Sequence, residues 1–304
     1  MPNNKLSICL LARNEAANIA RALESVKNLA DEIVVVVDQT TTDNTAQIAK
    51  KYTKKVFVKT HQEQFHVNKQ IAINLAKNEW VLWLDADEKV SPALAKEIKR
   101  VLENPAYDGY EIPRKNLLFG KWMKYSNWYP DYQLRLFKKS QITFPCEHIH
   151  EHPEIDGQKA KLNHHLYHYN YQTISQFIDK LNRYTSADAT YFAKQIHPPF
   201  TSQLIKRPFD EFLRRFFAFH GYKDGIHGLA LALLQAFYEL VVVLKVWELK
   251  KFDTTYEKKT LATVQTQTTT IAKDFYWWIK EVAINKAANP LQKLNLKVKR
   301  KIGL

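Results

Sequence analysis

Glycine is scarce in this 304-residue chain: there are 7, and the first is Gly109. Average usage would place roughly seven or eight in the opening 108 positions alone. A P-loop and a GxGxxG dinucleotide turn both need glycine, for tight turning and for close approach of backbone to phosphate. Neither can lie in the N-terminal region, so a nucleotide bound there has its phosphates held by something other than a glycine-rich loop. Cysteine is scarcer still. Cys9 and Cys146 make no disulfide framework and no zinc spacing. Cys9 lies in an apolar strand-like run and reads as a small core residue, and a reducing cytoplasmic setting is expected. The opening MPNNKLSICLLARNE turns polar too soon for a secretory leader. No internal repeat is present.

Positive charge is abundant. The chain has 45 Lys and Arg against 31 Asp and Glu, a net +14, and residues 251–304 hold 11 of the former against 4 of the latter. A basic, aromatic-containing end points to anionic lipid or nucleic acid. No nucleic-acid motif accompanies it, and the aromatic residues follow amphipathic helices instead of a stacking sheet, so no nucleic-acid partner is expected. With 45% apolar residues the chain can bury a large core. Its length suits one domain with a substantial extension, or two small domains.

Apolar runs at 6–11, 33–37, 56–58 and 80–84 alternate with helical patterns near 15–27, 43–51, 64–77 and 92–103. The last opens with Ser91-Pro92, an N-cap followed by proline at the first helical position. Ile- and Val-rich strands alternating with helices predict βαβ units and a mainly parallel sheet. From Gly109 to His168 the texture becomes strand-like with irregular connections, and six of the eleven histidines fall between His148 and His168. From Tyr171 onward it is helical, with breaks at His197-Pro198-Pro199, Gly221, Gly225 and Pro290. The expected division is 1–170, in two halves (1–108 and 109–170), and a basic helical region, 171–304. The low-complexity TVQTQTTT at 263–270 reads as a linker.

In open parallel sheets ligands sit beyond the carboxyl ends of the strands. There the first strand runs into Ala12-Arg13-Asn14-Glu15, the second into Asp38, and the fourth into Asp85-Ala86-Asp87-Glu88. Asp85 and Asp87, at i and i+2, can point one way and hold a hard divalent cation through oxygen. Mg²⁺ or Mn²⁺ there would neutralise a diphosphate leaving group. The other reading is an acidic turn capping the next helix. His148, His150 and His152 share a face if extended, as metal ligands or as ordinary polar residues.

LSICLLARNEAANIARALESV, DEIVVVVD, TDNT and WVLWLDADE, in this order and spacing, resemble family 2 glycosyltransferases of the GT-A fold. GKWMKYSNWYPDYQLRLF and IHEH are similar to a subgroup related to lipopolysaccharide-core β-glucosyltransferases. The resemblance spans roughly residues 5–250. It implies a Rossmann-like α/β domain followed by a helical extension, and inverting, metal-dependent transfer of a sugar from a nucleotide sugar to an acceptor hydroxyl. It implies that Ala12, Arg13, Asn14, Glu15 and Asp38 face the nucleotide and that Asp85 and Asp87 face metal and diphosphate. Asn68 and Lys69 would approach the donor, and His150-Glu151 the metal or the acceptor. One departure stands out. The family's turn after Asp38 is Ser-Gly-Ser-Thr-Asp-Gly-Thr-like, whereas this chain has Gln39-Thr40-Thr41-Thr42-Asp43-Asn44-Thr45. Thr40 is β-branched and resists positive φ.

Inversion requires one general base on the acceptor side. Asp131, within Trp128-Tyr129-Pro130-Asp131, is the candidate; Trp128, Tyr129 and Tyr132 offer aromatic faces to a sugar. Gln133 and Arg135 alternate on one strand face and are candidates to position acceptor or diphosphate. Farther on, Phe209, Phe212, Leu213, Phe216, Phe217 and Phe219 fall on one side of a helix, with Arg207, Arg214 and Arg215 on the other. That is the pattern of an interfacial helix, or of one docked on the catalytic domain. Residues 226–247 are long enough to span a bilayer, but a central Glu239 disfavours a span. The expected product is a glycosyltransferase peripheral to the anionic inner face of the cell membrane, acting on a lipid-linked or envelope-glycan acceptor. The alternative is a catalytically silent scaffold of the same fold that binds membrane or partners, which the Thr-rich turn motivates.

Overall fold

The computed structural model describes residues 4–60, 65–144, 153–198, 200–255 and 257–301. The chain folds as two compact units: Met1–Trp122 with Trp128–Gln172, and Met123–Asn127 with Thr173–Leu304.

The first unit begins with alternating elements: β1 (Leu6–Ala12), α1 (Ile19–Val26), β2 (Glu32–Asp38), α2 (Thr45–Ala49), β3 (Val56–Lys59), α3 (Phe65–Asn74), β4 (Trp80–Trp83), β5 (Glu88–Val90) and α4 (Pro92–Glu103). It continues as β6 (Gly109–Leu118), β7 (Lys121–Trp122), β8 (Asp131–Lys138), β9 (Ile142–Thr143), β10 (Glu154–Ile155), β11 (Lys159–Lys161) and β12 (Leu166–Tyr169). The main sheet has the order β3-β2-β1-β4-β8-β6-β12-β5, with β7 and β11 both on β6. Strands β1 to β4 run parallel, but β8 is antiparallel to both β4 and β6. The sheet is therefore mixed: the expected parallel arrangement holds in its N-terminal half, and β6 again runs parallel to β11 and β12. β9 and β10 form a separate pair.

The continuous apolar runs of β1 and β2 are what a parallel strand covered on both faces requires. Leu6, Ile8 and Leu10 pack with Ile19 and Leu23 of α1 and with Leu94 and Ile98 of α4. The alternate residues Cys9, Val34 and Val36 pack with Ala72 and Ile73 of α3 and with Phe137. Burial pushes the Cys9 thiol up to about 12, so it is an inert core residue. The Ser91 hydroxyl accepts the Leu94 N–H and caps α4, with Pro92 at its first position.

The second unit contains α5 (Ile174–Phe192), α6 (Phe200–Leu213), a π-helical turn (Arg214–Ala218), a 3-10 turn (Gly221–Asp224), α7 (Ile226–Leu249), α8 (Thr260–Lys286) and α9 (Pro290–Lys301). Thr173 and Gln176 close a reciprocal capping box on α5. Two expectations are corrected here. TVQTQTTT is no linker; it lies inside α8. Thr266, Thr269 and Thr270 turn their hydroxyls back onto carbonyls four residues earlier, and Gln267 donates to Ser202 of α6. The back-bonds satisfy the hydroxyls within the helix, and the contacts of α8 with α6 outweigh the weak helix propensity of threonine.

The aromatic side of α6 is also not an open interfacial face. Phe212 stacks on Phe275 of α8 and Phe217 on Trp278, with ring centroids 5.6 and 6.0 Å apart. Arg207, far from lying opposite in solvent, donates to Glu239 of α7 at 2.6 and 3.0 Å.

Candidate active site

Register brings the site together. Arg114 of β6 pairs with Asp131 of β8, and Asn116, two residues on and so on the same face, pairs with His168 of β12. His168 in turn pairs with Glu88 of β5. Five polar side chains from four strands thus meet over the middle of the sheet, beside the Asp85–Asp87 turn that follows β4.

A continuous path of bonds joins them. Asp85 accepts from Trp83 Nε1 at 2.8 Å and is ion-paired with Arg135. Arg135 also donates to Glu88 Oε1 at 2.7 Å, and Arg114 reaches the same oxygen at 3.3 Å. Glu88 is fully buried, and its other oxygen accepts the Asp85 N–H. Arg114 forks onto Asp131 Oδ2 at 2.6 and 2.9 Å. Asn116 Nδ2 donates to Asp131 Oδ2 and to the Trp128 carbonyl, and its Oδ1 lies 2.7 Å from His168 Nδ1. His168 Nε2 then stands 3.5 Å from Asp87 Oδ2.

This network settles several assignments. Because Asn116 Nδ2 is the donor to two oxygens, its Oδ1 must accept, so His168 Nδ1 carries the proton. Nε2 therefore turns a lone pair toward the Asp87 carboxylate, 3.5 Å away. Asp85 is differently placed. Burial pushes its carboxyl up, but Arg135, Lys69 and the Trp83 bond together hold it far below the usual carboxylate range. Its oxygens accept from Trp83 and pair with Arg135, so Asp85 anchors Arg135. Among the described residues no three His, Cys, Asp or Glu form a ready-made metal group.

Gln133 and Arg135 lie on the face expected, and that face meets the carboxylate cluster. Gln133 donates to Asp131 Oδ1 at 2.7 Å, and buried Arg135 is held between the Asp85 and Glu88 carboxylates. Trp128 and Tyr129 remain half-exposed beside Asp131, with the Tyr129 ring edge-on to Trp122 at 5.3 Å. His150, Glu151 and the neighbouring His148 and His152 lie outside the described residues.

On the nucleotide side, Ala12 is buried opposite Val37, whereas Arg13 and Asn14 are exposed. Asn14 takes positive φ, and its Oδ1 accepts the Thr42 N–H at 2.8 Å. The Glu15 N–H donates to Thr45 Oγ1 and the Ala16 N–H to Asp43 Oδ2. Buried Asp38 accepts both the N–H and the hydroxyl of Thr40. No residue of the Asp38–Thr45 turn has positive φ; Asn44 sits at −80°. The left-handed position is across the cleft at Asn14, so Thr40 fits without strain. Lys69 lies 5.3 Å from the Trp83 ring centroid, and burial lowers its amine to about 8 against the opposing pull of Asp85.

Glu88, Arg114, Asn116 and His168 were not singled out in the sequence. Only the parity of Arg114 and Asn116, and the acidity of Glu88 beside Asp87, hinted at them.

The family described as Glycosyl transferase family 2 matches residues 7–153. An uncharacterized glycosyltransferase of Rickettsia typhi is 31% identical over 257 residues, covering 81% of this chain and 87% of the relative. A lipopolysaccharide core biosynthesis glycosyltransferase of Rhizobium meliloti is 25% identical over 256 residues, covering 82% and 94%. Among solved structures, S. aureus TarS in complex with UDP is similar at 16% identity with a TM-score of 0.42, over 78% of this chain and 90% of that one.

Proposed function

The chain belongs to glycosyl transferase family 2 and is a glycosyltransferase; from that premise we propose that it transfers the sugar of a nucleotide-diphosphate sugar, with inversion, onto a hydroxyl of a lipid-linked or lipopolysaccharide-type acceptor. The observation that carries this is the unbroken path of bonds from Asp85 through Arg135, Glu88 and Arg114 to Asp131 and on through Asn116 to His168, which stands 3.5 Å from Asp87; it joins a donor-side carboxylate pair to one acceptor-side carboxylate. Asp131 accepts the proton of the acceptor hydroxyl as its oxygen attacks the anomeric carbon. The bond from that carbon to the diphosphate oxygen breaks on the opposite face. Arg114, Asn116 and Gln133 aim and ionise Asp131; Trp128 and Tyr129 offer aromatic faces to the acceptor sugar. Asn14, Glu15 and Asp38 frame the nucleotide, and Lys69 lends charge to the diphosphate.

A divalent cation, Mg²⁺ or Mn²⁺, fits at Asp87, where His168 turns a lone pair toward the carboxylate. Asp87 and His168 would hold the ion, and bound there it would supply charge to neutralise the leaving diphosphate. The Rhizobium meliloti relative supports the lipopolysaccharide-type acceptor, and the basic helical unit supports a position at the anionic inner face of the cell membrane. The silent-scaffold alternative loses its motive, because the Thr-rich turn is unstrained and hydrogen-bonded to Asn14 and Asp38.

Asp131→Asn should cut transfer by about 10²-fold or more, the usual contribution of a general base, while calorimetry shows unchanged nucleotide-sugar binding. Wild-type turnover in that variant would remove Asp131 from the role. Asp87→Ala should abolish the heat of Mn²⁺-dependent donor binding; an unchanged titration would refute the metal assignment.

A further inference from the structure

Three of the chain's seven glycines fall within eight residues, Gly221-Tyr222-Lys223-Asp224-Gly225-Ile226-His227-Gly228. Each is required for a different reason. A Cβ at Gly221 would collide with the Ser126 hydroxyl and the Arg215 carbonyl, and one at Gly228 with the Gly221 carbonyl. Gly225 has φ +66° and ψ −140°, a region essentially closed to residues with a side chain. The segment is therefore packed against itself and against residues far away in sequence.

Those distant residues are Met123–Asn127, which belong to the helical unit although the chain on both sides of them belongs to the sheet. Asp224 is buried, and its Oδ2 accepts the N–H groups of Lys124 and Tyr125 at 3.1 and 2.9 Å. The Ser126 N–H donates to the Phe219 carbonyl at 2.8 Å, and its hydroxyl to the Arg215 carbonyl at 3.2 Å. Arg215 Nη1 returns a bond to the Ser126 carbonyl at 3.1 Å. Met123 is fully buried, and Ser126 and Asn127 both take left-handed conformations, at φ +57° and +63°. Two successive non-glycine residues hold that shape only where their surroundings over-determine it. The next residue is Trp128, and Asp131 follows three positions later.

We propose that this glycine-framed turn is a clamp by which the helical unit fixes the chain entering the acceptor loop, and that Asp224 is its positioning residue. Asp224 touches no reacting atom. It holds the backbone whose continuation carries Trp128, Tyr129 and Asp131. The proposal rests on the reading of Asp131 as the base only for its catalytic consequence; the clamp itself is tested separately.

In the full chain, Asp224→Ala should raise amide hydrogen exchange across residues 123–131 while leaving β1 and α1 unchanged. It should lower kcat about 10- to 100-fold, the cost of ångström-scale misplacement of a reacting group, with the donor Kd within about twofold of wild type. Asp224→Asn, which keeps an oxygen acceptor for the two N–H groups, should recover most of both. Ser126→Gly, which removes the hydroxyl bond and frees the backbone, should reproduce the kcat loss and decides the matter if the alanine variant does not fold. Unchanged exchange over 123–131 overturns the clamp. Raised exchange with wild-type kcat overturns its catalytic role, as does loss of donor affinity in step with kcat. A wild-type chain that transfers no sugar refutes the function and leaves the exchange result to decide the clamp.

Discussion

Asp131 shows how much of this site is decided by neighbours. Burial pushes its carboxyl up, yet Arg114, Asn116 and Gln133 reverse that and hold it below the ordinary range. Its charged form is therefore favoured in the folded protein: the stability it contributes is present above the unfolded value of about 3.9 and is lost as pH falls through the lower folded value. Arg114→Met leaves the burial and removes the opposing charge. The acid limb of kcat should then move upward by about one pH unit or more, and a limb that stays in place would show that Arg114 does not set the base. The sequence offered Asp131 through its aromatic setting and Asp87 through its spacing from Asp85. Strand parity put Gln133 and Arg135 on one face, but it says only which residues share a face, and not whether that face meets solvent or carboxylates. Glu88, Arg114 and His168 acquire meaning only through the pairing of β5, β12, β6 and β8, which no local spacing encodes.

At the scale of elements, local chemistry was legible where it acts locally. Ser91-Pro92 starts α4, and apolar runs of Ile and Val became β1 and β2. The antiparallel insertion of β8 between β4 and β6 was not legible, since it joins β8 to a strand some fifty residues earlier. Within α8 the 263–270 stretch reads as a linker for the opposite reason: its threonines lower local helix propensity, and contact with α6 reverses the outcome. Thr266, Thr269 and Thr270 are exposed within it. Replacing all three by alanine should stabilise the protein by about 0.5 kcal/mol per site, raising Tm by about 2–4 °C per kcal/mol. Calorimetric Tm checks this; no rise would mean that the segment does not behave as a helix in solution.

At the scale of the molecule, charge and apolar surface are gathered in the same part of the chain. Residues 173–304 hold 21 Lys and Arg against 11 Asp and Glu, a net +10 of the total +14. Within them α7 is long and apolar enough to cross a membrane by length and composition, but its interior charges are tied inward. Glu239 is paired with Arg207 of α6, and Lys245 donates to Asn182 and Ser186 of α5. Val242, Val243 and Val246 are buried on that side, while Ile226, Leu233, Phe237 and Leu244 are exposed on the opposite one. These four positions, spaced 7, 4 and 7, form one stripe on a helix. A helix with one side fixed to neighbouring helices and the other apolar suits lying in the interface of an anionic bilayer, where lysines outside it add attraction. Wild-type protein should sediment with phosphatidylglycerol vesicles and be released in part by high salt, which screens only the charge component. Phe237→Asp and Leu233→Asp should each weaken partitioning about tenfold or more, since burying such a side chain is worth about 1.5–3 kcal/mol, and should leave soluble-donor binding intact. Vesicle binding that both substitutions leave unchanged would move the contact away from α7, and a wild-type chain that stays in the supernatant would remove the membrane from the reading.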